Sequence, residues 1–186
     1  MSLIVGIEPE RSIKSQMHNI AVEVVRLVEM QGVPVNHIDP NNYHIELFPI
    51  PARQGSFRWL LNKRVLKRFR YSRFDISFST VKLGSGGRMK EFIYLQAEEG
   101  SDQLRKMVFD LAQRMGVRRV RTFNPAIRVA KIVKDLSDQE IHNLHSSLRE
   151  YDQIHDNNVK FEFTDLSVLA WKNDQLTEVK KFDMMC

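Results

Sequence analysis

The chain has 186 residues, of which 42% are hydrophobic and 27% charged, and it carries a net charge of +5. That balance describes a globular protein with enough apolar residues for a real core, and the single cysteine, Cys186, excludes a disulfide-stapled scaffold. No apolar run approaches the roughly 20 residues a membrane-spanning helix needs, and no signal-like segment opens the sequence, so a cytoplasmic protein without a transmembrane segment is expected.

Leu3 to Ile7 reads as a buried strand. Glu10 to Gln31 reads as a helix, with Ser12 near its start and Gly32-Val33-Pro34 ending it. Its apolar positions from Ile13 to Val28 form a broad face, which predicts packing on a sheet and gives Met17 and His18 structural places. The stretch Asn42-Tyr43-His44-Ile45-Glu46-Leu47-Phe48 then alternates strictly. Period two puts Ile45 and Leu47 in the core and His44 with Glu46 together on the other face. An imidazole beside a carboxylate on the non-core face marks a candidate site. Pro49-Ile50-Pro51 is expected to break this strand.

Phe57 to Arg70 projects as an amphipathic helix. Trp59, Leu61, Val65, Leu66 and Phe69 fall on one half, and Lys63, Arg64, Lys67, Arg68 and Arg70 on the other, with Leu60 the exception. Between Arg53 and Phe74 there are eight basic residues, Arg58 and Arg73 among them, and no acidic ones. They exceed the net charge of the whole chain, so the basic character belongs to one element. A solvated face normally mixes signs, and the absence of acids here points to anion binding.

Ser72 to Leu83 and Arg88 to Ala97 read as an antiparallel pair joined by Gly84-Ser85-Gly86-Gly87. That turn lacks the lysine and following helix of a nucleotide P-loop and reads as a hairpin. Asp102 to Met115 reads as a helix ended by Gly116, and Arg118, Arg119 and Arg121 follow in a loop. Asn124-Pro125-Ala126-Ile127-Arg128-Val129 repeats the shape of the first candidate strand, with Ile127 and Val129 on one face and Ala126 and Arg128 on the other. Ser137 and Glu140 have capping-box spacing before a helix that runs to about Tyr151. His142 and His145 on it have a spacing that can bind metal, but no carboxylate or cysteine set completes a site, so no metal or cofactor is expected. Val159 to Trp171 and Leu176 to Phe182 read as a closing hairpin around Lys172-Asn173-Asp174.

The two strand–helix–strand units rhyme. The order of elements, with the loop and motif from Val35 to Leu47 and the second from Thr122 to Ile132, resembles the two-histidine (2H) phosphoesterase superfamily. That superfamily includes the 2′-5′ RNA ligase and cyclic phosphodiesterase proteins, and the resemblance spans nearly the whole chain. It implies an α+β, bilobal fold: two antiparallel sheets with outer helices, related by pseudo-two-fold symmetry around a central cleft, with residues 1–186 forming one domain.

Members of the superfamily carry His-x-Thr/Ser once per lobe. One histidine takes a proton from the attacking hydroxyl, the other protonates the leaving oxygen, and the hydroxyls hold the phosphate. Matched onto this sequence, the four positions read His44, Glu46, Ala126 and Arg128, so only His44 keeps the family's residue. Ala126 neither accepts nor donates a proton, which leaves the acid–base pair incomplete, and an ionised Glu46 repels phosphate. If the lobes are related as in the family, Glu46 and Arg128 face each other and form a charge-assisted pair.

The resemblance and the charge pattern together lead to an expectation of binding without the family's catalysis. The expected partner is RNA or another polyanion, held by Arg58, Lys63, Arg64, Lys67, Arg68, Arg70, Arg73, Arg118, Arg119 and Arg121. Two alternatives stand beside it. One is a phosphodiesterase or 2′-5′ RNA ligase-like enzyme acting on 2′,3′-cyclic or 2′-5′ phosphodiesters, with His44 as base and Arg128 stabilising the phosphoryl charge. The other is an interaction subunit whose basic helix docks on an acidic partner or an anionic membrane surface.

Overall fold

The computed structural model describes residues 3–50, 55–84, 91–117, 123–172 and 175–184. Along the chain these form β1 (Leu3–Ile7), α1 (Arg11–Glu29), β2 (Val35–His37), a 3-10 turn (Pro40–Asn42), β3 (Ile45–Ile50), α2 (Phe57–Arg68) and β4 (Phe74–Leu83). There follow β5 (Phe92–Ala97), α3 (Ser101–Arg114), β6 (Ala126–Ile132), α4 (Asp138–Ile154), β7 (Val159–Phe163), β8 (Asp165–Lys172) and β9 (Gln175–Asp183).

The strands join in the order β7-β4-β5-β6-β3-β1-β8-β9, with β2 paired to β6 outside this path. Every pairing is antiparallel, and the middle of the sheet is thin, because β3 and β6 pair only at Ile45 and Ile127. The sheet is therefore two halves, β3-β1-β8-β9 and β6-β5-β4-β7, meeting at one bridge. Exchanging β3 with β6, β1 with β5, β8 with β4 and β9 with β7 turns one half into the other. The register repeats as well. The β1–β3 ladder skips Leu47 between Gly6↔Glu46 and Val5↔Phe48, and the β5–β6 ladder skips Val129 between Tyr94↔Arg128 and Ile93↔Ala130. A bulge thus follows each motif and bends both strands at equivalent points. This is the α+β bilobal architecture that the sequence predicted.

The helices form where the apolar spacing placed them. In α1, Met17, Ala21, Val24, Val25 and Val28 are buried, and the methionine and the valines each contribute up to roughly 1.5–3 kcal/mol. The α3 helix starts at Gly100, whose φ of 78° suits glycine and where a Cβ would stand 2.3 Å from the carbonyl oxygen of Asp75. The α4 helix carries the expected capping box, with Ser137 accepting from the Glu140 backbone and Glu140 accepting from that of Ser137. It is fastened to β4 by Asp152, whose carboxylate accepts the Val81 N–H at 3.0 and 3.1 Å.

Four expectations need correction. β3 does not stop before Pro49 but runs through it to Ile50, because beyond Ile45 no described strand pairs with its far side and the missing N–H costs no ladder bond. The span from Val159 to Trp171 is two strands in opposite halves of the sheet, β7 on β4 and β8 on β1, divided at Thr164. On α2, Leu61 is 43% exposed, and Asn62, with Trp59 and Leu66, takes the buried place. The α4 helix continues past Tyr151 to Ile154. The turn residues Ser85, Gly86, Gly87, Asn173 and Asp174 lie outside the described residues.

Candidate functional site

His44 sits one residue before β3, 8% exposed. Its Nδ1 lies 2.7 Å from the carbonyl oxygen of Asn42. A carbonyl only accepts, so in the neutral ring Nδ1 carries the hydrogen and Nε2 keeps its lone pair. Nε2 is buried and meets no hydrogen-bond partner among the described residues. The ring stands edge-on to Trp171 at 6.3 Å. Beneath it is Gly6, where an added Cβ would lie 3.6 Å from His44 Cδ2. Gly6 pairs with Glu46, so imidazole and carboxylate share one face of the sheet, as the alternation predicted. Burial lowers the His44 pKa, and the Arg128 charge adds to that, against opposing effects from the Asn42 carbonyl, Glu46 and Glu8. The ring is consequently neutral at pH 7.

Across the Ile45–Ile127 bridge, Arg128 Nη2 lies 3.5 Å from Glu46 Oε2. The two side chains are 39% and 38% exposed, so this is a wet pair. The guanidinium also stands 5.0 Å over the Phe92 ring and lies beside Tyr94, its register partner on β5. Burial raises the Tyr94 pKa, partly opposed by Arg128, so the phenol keeps its proton. Ala126 pairs with Gln96 at the start of β6. Equivalent positions of the two halves therefore hold opposite sizes: glycine under histidine at 6 and 44, tyrosine beside alanine at 94 and 126.

The basic helix is elsewhere. Arg58, Arg64, Lys67 and Arg68 are exposed on α2, Lys63 is half-buried, and Arg70 follows the helix with its guanidinium donating to the carbonyls of Lys67 and Phe69. Arg73 pairs with Glu162 at 3.2 Å. Arg118, Arg119 and Arg121 lie outside the described residues. The α2 helix packs on β9, and Lys63, Lys67 and Arg70 meet Lys180 and Lys181 of that strand in an open groove of about 430 Å³. The register Glu46↔Gly6↔Ser167↔Lys181 puts the groove three strands from Glu46, a backbone separation of about 14 Å. The described residues among those predicted thus separate into the motif strands and the region of α2. Sequence reasoning missed Gly6 and Tyr94, which carry no motif signal, and Lys180 and Lys181, whose link to α2 exists only in the tertiary structure.

No family model matches the sequence, and no curated protein matches it. Solved structures do match the fold. E. coli LigT in apo form superposes with a TM-score of 0.70 at 10% identity, covering 100% of this chain and 98% of that one. TT0787 of Thermus thermophilus gives 0.63 at 12% identity, covering 99% and 98%, and Kluyveromyces marxianus Usb1 gives 0.61 at 10%, covering 96% of each. All are 2H phosphoesterase superfamily folds, and the likeness is one of fold.

Proposed function

We propose that this chain, built on the 2H phosphoesterase fold, binds RNA or another phosphate-rich polyanion without performing the superfamily's acid–base chemistry. The observation that carries the reading is the Glu46–Arg128 pair beside the bridge of the two halves. On this reading a carboxylate stands where the family has a phosphate-holding hydroxyl and engages the Arg128 cation, while Ala126 offers no proton. Proton transfer at both attacking and leaving oxygens needs two groups, and the motif positions supply one. Cationic side chains along α2 supply affinity instead. The fold neighbour LigT has been solved with ATP, 3′-AMP, NADP+ and phosphate, all phosphate-bearing ligands.

A second reading rests on His44 itself. Its neutral ring and unpartnered Nε2 are what a general base requires, and the protonated Tyr94 phenol beside Arg128 offers an acid from outside the motifs. A short RNA ending in a 2′,3′-cyclic phosphate separates the two. Binding that weakens steeply with salt, without turnover, supports the binding role. Turnover that disappears in both His44→Ala and Tyr94→Phe would establish the enzyme.

A further inference from the structure

Two elements more than a hundred residues apart build the α2–β9 groove. Lys63, Lys67 and Arg70 come from α2 and its end, and Lys180 and Lys181 from β9, over a floor that includes the buried Phe182. One carboxylate, Asp183, shares the lining, and Lys181 is held 3.0 Å from Asp165. Among the described residues, Lys63, Lys67 and Lys180 have no carboxylate within ion-pair reach. Five cations share this concavity with one lining carboxylate, and an anion relieves the repulsion among them. The volume of about 430 Å³ is near the small end of ligand sites, and the groove is open. Phe57, Leu60 and Leu61 are exposed on the first turn of α2, and Leu60 lies on the same stripe of the helix as Lys63 and Lys67.

We propose that this groove is a seat for linked phosphate groups, either the backbone of a single-stranded RNA or an inorganic polyphosphate chain, held by Lys63, Lys67, Arg70 and Lys180. It deepens the polyanion-binding reading by naming the site, and it places that site away from the motif cleft. Phosphate contacts by lysine read charge and spacing and no base sequence.

The test compares two variants that lose equal charge: Lys63→Gln/Lys67→Gln/Lys180→Gln in the groove and Arg58→Gln/Arg64→Gln/Arg68→Gln outside it. Urea unfolding first establishes that both fold. Each is titrated with a fluorescent single-stranded RNA over a range of salt, and with inorganic tripolyphosphate by NMR. Each phosphate contact contributes about 0.7 to the slope of log Kobs against log salt. The groove variant should lose about 2 from that slope and the outer variant less than 1, and tripolyphosphate should shift the amides of residues 180–183. RNA binding with equal losses in both variants overturns the groove and leaves the polyanion reading standing. Tripolyphosphate shifts in the groove without RNA binding support the seat and assign it to polyphosphate. Failure of both probes at low salt overturns both readings, and capture on phosphatidylglycerol vesicles alone would assign α2 to a lipid surface through Phe57, Leu60 and Leu61.

Discussion

Replacing Gly6 with alanine adds one methyl to the floor beneath His44. The new Cβ would stand 2.9 Å from Leu169 Cδ1, 3.0 Å from the carbonyl oxygen of Ile45 and 3.6 Å from His44 Cδ2. Leucine can turn its end away. Ile45 cannot move freely, since it pairs with Ile7 on one side and Ile127 on the other. Overpacking of this kind costs about 1–3 kcal/mol, offset by about 0.4–1 kcal/mol because alanine restricts the unfolded chain. The net expectation is a loss of about 1–2 kcal/mol, which for a domain of this size lowers Tm by about 2–8 °C. Urea unfolding with an unchanged m-value measures the loss, and the His44 ring resonances should shift as the imidazole is displaced. A variant as stable as the parent, with those resonances in place, would refute the packing argument.

A double-mutant cycle on Glu46→Gln and Arg128→Met should give a coupling of only about 0.2–1 kcal/mol, shrinking in high salt, because both side chains are more than a third exposed; a coupling above about 2 kcal/mol would mean the pair is dry. Burial depresses the His44 pKa, so the folded state binds fewer protons there than the unfolded chain. Its contribution is present above the ordinary histidine value of about 6.5 and is lost as pH falls below it. His44→Gln should flatten that limb of the stability profile, and an NMR titration placing His44 at or above 6.5 would contradict the reading. Tyr151→Phe removes the 2.7 Å hydrogen bond to Glu23 that ties α4 to α1, at a cost of about 1 kcal/mol because Glu23 can return to water; an unchanged urea midpoint would show the bond contributes nothing.

The motif strands were legible because alternation is a local property: Ile45, Leu47, Ile127 and Val129 are buried as period two requires. The same local logic failed wherever pairing partners decide the outcome. Pro49 breaks a central strand but not an open edge, and which of these β3 has at that point depends on how short its contact with β6 is. The run from Val159 to Trp171 contains no turn residue strong enough to show that the chain leaves one half of the sheet for the other at Thr164. Leu61, expected on the apolar half of α2, is exposed and Asn62 is buried, because the face of α2 that packs is set by its contact with β9 and not by its apolar spacing alone. The cations of Lys180 and Lys181 sit in an ordinary edge-strand pattern until α2 is laid beside them.

The unequal sizes at positions 6 and 94 bear on how this cleft can change over generations. In the first half the His44 ring lies over a residue with no side chain. Symmetry would send the ring of an Ala126→His variant over Tyr94, whose phenol already fills the equivalent place beside Arg128. Seating an imidazole at position 126 therefore requires shrinking Tyr94 too, and that change takes the phenol away from the guanidinium beside it. Packing thus couples positions 94 and 126: a ring at 126 calls for a smaller residue at 94.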